Sequence, residues 1–239
     1  MLHHTRGIFF HQVRYSETSL IVKIYTEAFG LQTYMIRGIR SKKSAIKPAH
    51  LQHLALLDMV VYHRENKDIQ NIKELRTAFH FNSIPFDIRK SSVVVFLNEV
   101  LYNVIREHES NPGLFQFIFD ELLRLDGTVK DIAVFHLQFL VRLTRFLGFF
   151  PRNNYSFLNP VFDLQEGVFT DRALHPLLFM EEPLSRWFSL LSSDEIISLR
   201  LSTGERNQLL EYILRYYTVH LPGMKPVKSH VVLQSVMNG

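Results

Sequence analysis

Ser19-Leu-Ile-Val-Lys-Ile-Tyr-Thr26, Glu27-Ala-Phe-Gly30 and Leu31-Gln-Thr-Tyr-Met-Ile-Arg37 follow one another in the chain, and this stretch decides the fold. Its two outer segments are rich in β-branched and aromatic residues, which is typical of β-strands. Gly30 can adopt a positive φ angle and let the chain reverse between them. The stretch therefore predicts a β-hairpin.

Three more segments extend this pattern on either side of the hairpin. Thr5–Tyr15 precedes it, and Leu54–Arg64 and Ile69–Phe79 follow it, with a polar break between the last two. Five short strands with hairpin-like spacing within residues 1–80 predict a small closed barrel. An OB-fold is the leading prediction, and an SH3-like barrel is the alternative.

The apolar period changes after the barrel, so the chain is predicted to be α+β, with the barrel in residues 1–80 and a helical domain in residues 81–239. From Asp87, apolar residues recur at helical spacing. Residues 151–176 are predicted to be a non-helical excursion, with Val161–Phe162 paired against Val168–Phe169. The tail from Met224 is expected to be only partly ordered. Helices are predicted over 87–109, 114–125, 129–149, 184–191, 193–199 and 204–220.

Positive charge is concentrated at the start of the chain. The first fifty residues carry eight Lys or Arg and two Glu, a net charge of +6, whereas the whole chain is only +4. This distribution favours a polyanion partner, and nucleic acid is the commonest one. The alternative is a solvated basic loop. The densest run lies in the loop after the third predicted strand and contains no acid: Arg37, Arg40, Lys42, Lys43 and Lys47.

Neighbouring strands offer further candidates for nucleic-acid binding. Arg14 and Lys23 can extend the basic patch. Tyr15, Tyr25 and Tyr34 can stack on bases if they lie on an exposed barrel face, although such aromatics are more often core residues. Tyr15 is the preferred candidate because it lies at a strand end.

Several classes of site are excluded or disfavoured by composition. The chain has no cysteine, which excludes disulfides, thiolate nucleophiles and cysteine-ligated metals. Its twelve histidines fall in no metal motif, and it contains no phosphate-binding glycine loop or nucleophile elbow. It also lacks a secretory signal and an apolar run long enough to span a membrane. We expect a cytoplasmic protein without enzymatic activity, metal or cofactor.

Motifs at both ends of the chain resemble the RecO family of bacterial DNA recombination and repair proteins. They occur in the same order, and the helical pattern between them agrees with the family. The motifs are Thr5-Arg-Gly-Ile, Tyr15-Ser-Glu-Thr-Ser-Leu-Ile-Val, Tyr25-Thr-x-x-x-Gly30, Gly38-Ile-Arg-Ser-Lys-Lys-Ser44, Leu51-Gln52 and Tyr217-x-x-His-Leu-x-Gly-x-Lys-x-x-Lys-Ser229.

The resemblance implies a mediator of DNA repair and homologous recombination, associated with the nucleoid. Such a protein binds single- and double-stranded DNA and anneals complementary strands. With RecR it helps to load RecA onto DNA coated by single-stranded DNA-binding protein. The alternative is a non-catalytic scaffold whose barrel binds a protein partner instead of DNA.

The resemblance also implies a site on the helical domain for the acidic, Phe-ending C-terminal tail of single-stranded DNA-binding protein. A terminal carboxylate needs a cation, and the Phe needs an apolar pocket. Arg142 and Arg145 stand three residues apart on an otherwise apolar helix and are the candidate cations. The alternative is that both lie at the rim of the helix or pair with acids.

One departure from the family concerns zinc. Many RecO proteins carry four cysteines after a Leu-Gly-Phe-x-Pro-like stretch. Here Leu147-Gly-Phe-Phe-Pro151 is present, but residues 153–176 contain no cysteine. The chain is therefore identified as a zinc-free member. We expect apolar packing in place of the metal, through Phe157, Phe162, Phe169 and Leu174.

Overall fold

The computed structural model describes residues 1–39, 46–47, 50–129, 132–193 and 199–238. The chain divides into two compact units, Met1–Gly127 and Thr128–Gly239. The secondary structure changes from strands to helices near residue 80, as the sequence predicts, but two helices belong to the first unit. The assignment of separate domains to residues 1–80 and 81–239 stays a prediction.

A closed five-stranded barrel forms the start of the first unit. Its order is β1-β2-β3-β5-β4, and all neighbours are antiparallel except the parallel pair β3–β5. This order and closure confirm the predicted OB-fold. The strands are β1 (Leu2–Arg14), β2 (Leu20–Thr26), β3 (Gly30–Ile36), β4 (Leu56–Tyr62) and β5 (Ile69–Thr77).

The barrel core follows from the alternation of side chains along each strand. Val22 and Ile24 of β2 point inward beside Tyr34 of β3, and all three are fully buried. Ile39 and Ile46, from the segment that joins β3 to β4, pack against the same core. Ile39 and Ile46 therefore anchor the chain to the barrel on either side of Arg40, Lys42 and Lys43.

Two helices accompany the barrel: α1 (Ile88–Val104) and α2 (Pro112–Gly127). Helix α1 lies along β1, where the Asn98 amide donates to the Phe10 carbonyl at 3.0 Å. Beyond the end of α1, the Leu31 N–H donates to the Glu107 carbonyl at 2.9 Å. Gly30 has a φ of +65°, and a Cβ there would lie 2.8 Å from the Glu107 carbonyl oxygen. Only glycine suits this turn.

The carboxylate of Asp126 ties the end of α2 to the segment between the barrel and α1. It accepts from the backbone N–H groups of residues 82, 83 and 84 at 2.8–3.0 Å. The buried Lys90 ammonium donates to the Ser83 hydroxyl and to the Asp126 carbonyl oxygen. Desolvation by burial would raise the pKa of Asp126, but these hydrogen bonds to the charged carboxylate outweigh it and lower the pKa.

The second unit combines helices with a three-stranded sheet of order β7-β6-β8. Phe162 pairs with Phe169, which confirms the predicted hairpin, and β8 adds a strand that the sequence did not reveal. The predicted helix over 193–199 lies almost entirely outside the described residues. The elements are α3 (Ile132–Leu147), β6 (Val161–Asp163), β7 (Val168–Thr170), β8 (Phe179–Met180), α4 (Leu184–Leu191), α5 (Thr203–His220) and α6 (His230–Asn238).

Helix α6 corrects the expectation of a partly ordered tail. Leu233 of α6 is buried, and the Met237 carbonyl accepts from Arg206 of α5. The helix is short and follows two prolines, so its apolar positions are too few to show a period in the sequence.

The non-helical excursion over residues 151–176 is held by an aromatic cluster and one buried acid. Phe162 and Phe169 are buried and pack together, as expected. Phe157 and Leu174 are 96% and 48% exposed, so that part of the expectation is wrong. The sequence offered no way to separate strand residues, which alternate into the core, from apolar residues in turns.

Asp163 is the polar part of this anchor. Its buried carboxylate accepts from the backbone N–H groups of Gln165 and Glu166 and lies 2.9 Å from the His175 Nδ1. Burial would raise the pKa of Asp163, but the bonds from Glu166, His175 and Gln165 lower it. Asp163 therefore connects the β6–β7 turn to His175 and holds the excursion together.

Candidate nucleic-acid interface

The strand order brings one terminus of each of the five strands to the same end of the barrel. β1, β3 and β5 finish there, and β2 and β4 begin there. Arg14 is opposite Leu20, which is opposite Ile36, so Arg14 and Arg37 lie on strands two apart at this end. Neighbouring strands are about 4.8 Å apart, which places their backbones about 10 Å from each other. We call Arg14, Tyr15, Arg37 and Lys47 the basic end.

Tyr15 and the start of the basic loop are joined by the backbone. The Tyr15 N–H donates to the Ser19 carbonyl at 3.0 Å and closes the β1–β2 turn. The Ile39 N–H donates to the Thr18 carbonyl of that turn, also at 3.0 Å. Tyr15 is 64% exposed, so its ring is available for stacking. Glu17 in the same turn is an acid at this end.

Lys47 comes directly after the core-anchored Ile46. Its side chain is exposed, and its N–H donates to the His50 Nδ1 at 3.2 Å. Arg40, Lys42 and Lys43 lie outside the described residues. The chain between the anchors Ile39 and Ile46 carries these three cations.

Lys23 lies apart from the basic end, on the outer face of β2 and β3, where its side chain is half-buried. It is opposite His11 on β1 and Thr33 on β3, and these three side chains share the outer face. Lys23 is three residues along β2 from Leu20, or about 10 Å from the end of the sheet. Strands 2 and 3 form the usual oligonucleotide-binding face of OB-folds. The face therefore continues from the basic end.

Tyr25 and Tyr34 do not belong to this surface. Tyr34 points into the barrel core, and Tyr25 points outward but is covered by Phe10 and Phe115. Burial raises the pKa of both hydroxyls. Of the three tyrosines that the sequence offered, the structure leaves only Tyr15 accessible for stacking.

The opposite end of the barrel carries charges of both signs, with Arg64 and Lys67 in the β4–β5 turn beside two acids. Glu27 lies in the β2–β3 turn there, and the exposed Glu107 and Glu109 dock beside Gly30. An Arg6 guanidinium nitrogen lies 2.7 Å from a Glu27 carboxylate oxygen, and the guanidinium stacks over the Phe115 ring. The charge of Arg6 is therefore balanced within the fold. This pairing lowers the pKa of Glu27.

A cavity of about 400 Å³ opens next to the basic loop, and sequence reasoning missed most of its lining. Phe79 and Phe81 follow β5, and His50 and His53 precede β4. The only sequence signal for this site was the Phe-His-Phe run just after a strand end.

Arg142 and Arg145 lie on α3 of the second unit. Arg142 is half-buried, and Arg145 is exposed, with its guanidinium carbon 4.4 Å from the centre of the Phe150 ring. The three-residue spacing places both on one side of the helix. Their role at a peptide site stays a prediction.

Within the described residues, no group of three or more His, Cys, Asp or Glu side chains is arranged to hold a metal ion. The absence of bound zinc stays a prediction. We expect elemental analysis of the purified protein to find less than one zinc per chain, and a chelator to leave the melting temperature unchanged. One tightly bound zinc per chain would contradict this, because a ligand set without thiolate would then exist.

None of the described helices combines the length and apolar character that a membrane span requires.

The barrel order, the basic end and the helices that follow define an OB-fold protein with a helical second part. Two family descriptions match the chain: Recombination protein O N terminal over residues 1–81 and Recombination protein O C terminal over residues 85–159. The chain belongs to the RecO family, and its role lies in DNA repair.

Full-length relatives agree with this assignment. The DNA repair protein RecO of Christiangramia forsetii is 36% identical over 239 residues, covering 99% of both chains. The DNA repair protein RecO of Bacteroides fragilis is 36% identical over 242 residues, covering 100% of both. That of Porphyromonas gingivalis is 28% identical and covers 98% of both.

Proposed function

We propose that this chain binds single- and double-stranded DNA at the basic end and around Lys23 on the outer β2–β3 face, and that it mediates homologous recombination. In this role it anneals complementary strands and, with RecR, helps to load RecA onto DNA coated by single-stranded DNA-binding protein. The observation that carries the proposal is the meeting of Arg14, Arg37 and the flanks of the basic loop at one barrel end.

Annealing needs no chemistry from the protein. Two DNA strands repel each other through their phosphates, and cations that neutralise phosphates release condensed counterions and reduce this repulsion. A basic end can hold two strands close together through their phosphates without reading their sequence. We therefore propose a non-enzymatic role, inside the cell and at the nucleoid.

Salt dependence tests the proposal. We expect the affinity of the full chain for single- and double-stranded DNA of unrelated sequences to fall steeply and linearly on a log–log plot against salt concentration. Each phosphate contact adds about 0.9 to the slope for duplex DNA and about 0.7 for single strands. Fluorescence anisotropy of labelled oligonucleotides measures the affinity at each salt concentration. Absence of binding at low salt would instead favour the protein-interaction scaffold.

The helical part is proposed to bind the acidic tail of single-stranded DNA-binding protein, with Arg142 or Arg145 as the cation for its terminal carboxylate. We expect Arg142→Ala/Arg145→Ala to weaken binding of a tail peptide while DNA binding changes little. Calorimetric titration with the peptide measures this, and the melting temperature is recorded alongside. Normal tail binding by the folded variant would make both arginines structural.

A further inference from the structure

The cavity beside the basic loop is built by three parts of the first unit. The segment before β4 supplies His50 and His53, the segment after β5 supplies Phe79, His80 and Phe81, and the first turns of α1 supply Val94. β4 begins and β5 ends at the same end of the barrel as Arg14 and Arg37. The cavity therefore continues the basic end.

Its lining combines aromatic faces with polar edges. The rings of Phe79 and Phe81 have centroids 5.8 Å apart and an interplanar angle of 63°. Both are only half-buried, so their remaining faces are not used by the protein core. Flat π-faces beside imidazoles suit a planar ligand with hydrogen-bonding groups around its rim.

His50 links the cavity to the basic loop. Its Nδ1 accepts the Lys47 N–H, so in the neutral ring the proton is on Nε2, which is then a hydrogen-bond donor. Burial lowers the pKa of His50, and the neighbouring His80 and Lys47 lower it further. The neutral imidazole therefore dominates at pH 7.

We infer that this cavity accepts an unpaired base from a DNA strand whose phosphates are held at the basic end. The inference rests on the proposed function, because the basic end supplies the strand. A volume of about 400 Å³ lies at the small end of the range of ligand sites, about 300–1,000 Å³. In a duplex the bases are stacked and paired, and extracting one costs free energy. The cavity therefore favours single strands.

The test compares two oligonucleotides of equal length and charge, one of thymidines and one with abasic sugars. We expect the full chain to bind the thymidine strand at least about tenfold more tightly, since stacking of one base is worth about 1–3 kcal/mol. Phe79→Leu/Phe81→Leu keeps apolar bulk but removes both π-faces. It should lower this ratio about tenfold, without changing the salt slope.

Phe157→Leu is the matched control, since Phe157 is exposed on the second unit, and it should leave the ratio unchanged. Thermal melts identify a temperature at which all variants are folded. An unchanged ratio in the double variant, or equal affinity of the intact chain for both strands, would overturn the inference. A different result would contradict the proposed function, namely no binding of the intact chain to either oligonucleotide at low salt.

Discussion

Charge reversal of Arg40, Lys42 and Lys43 to Glu is expected to weaken binding to any DNA sequence by roughly 10²–10³-fold near 0.1 M salt. Three phosphate contacts would be lost, and the slope of log affinity against log salt should become shallower by about 2.7 for duplex DNA. The loss should be uniform across sequences because phosphate contacts carry no sequence information. Anisotropy titrations over a range of salt concentrations measure both quantities.

The fold gives this experiment a matched control. Arg152, Arg172 and Arg200 are exposed on the second unit, and their reversal to Glu changes the net charge of the chain by the same amount. We expect this control variant to retain most of its affinity and slope. Equal losses in both variants would show that the overall charge attracts DNA, and that the basic loop is only a solvated surface.

Asp126→Ala is expected to lower the free energy of unfolding of the first unit by about 3–5 kcal/mol. The substitution leaves three backbone N–H groups at residues 82–84 without this partner, one of them buried and two partly buried, and a fully buried donor without a partner costs about 1–3 kcal/mol. It also disturbs the surroundings of the buried Lys90. Chemical denaturation followed by circular dichroism measures the loss.

Asp120→Ala is the control, since Asp120 is exposed on the same helix and accepts one hydrogen bond from Gln116. Its cost should stay below about 1 kcal/mol, as for other surface changes. A comparable loss in both variants would mean that the helix itself is perturbed and that the Asp126 network is not the cause.

The pH dependence of Asp126→Ala provides a second readout. The pKa of Asp126 is lowered in the folded state, so its carboxylate stabilises the fold fully above the unfolded pKa, about 3.9. That contribution is lost as the pH falls below this value. The difference in stability between the intact chain and Asp126→Ala should therefore shrink progressively as the pH falls below about 3.9. A difference that stays constant would show that the carboxylate charge is not involved.

The barrel was predictable because its signals are local. The alternation around Val22 and Ile24, with Gly30 at the turn, specifies a hairpin without knowledge of the rest of the chain. The period change at Asp87 was equally clear, and α1 begins one residue later. The placement of Arg14 and Arg37 at one end then follows from the strand order.

Other features depend on contacts that the sequence pattern does not contain. Tyr25 lies on the outer face of β2, where it would be exposed if Phe115 of α2 did not cover it. Phe79 and Phe81 gain significance only because β4 begins beside them. β8 has two residues, which is too few to show alternation. In each case a distant segment decides the environment.

Because Ile39 and Ile46 are anchored in the barrel core, the length of the basic loop between them can change with little effect on the stability of the fold. Both anchors can stay in place while the chain between them is lengthened, since doubling a flexible loop costs only about 0.6 kcal/mol in closure entropy. Extra residues and extra cations can therefore be inserted there without repacking the barrel. Under the proposed function, the reach of the basic loop over DNA can then be changed by insertion alone, and grafting loops of different length between related chains is a way to test this.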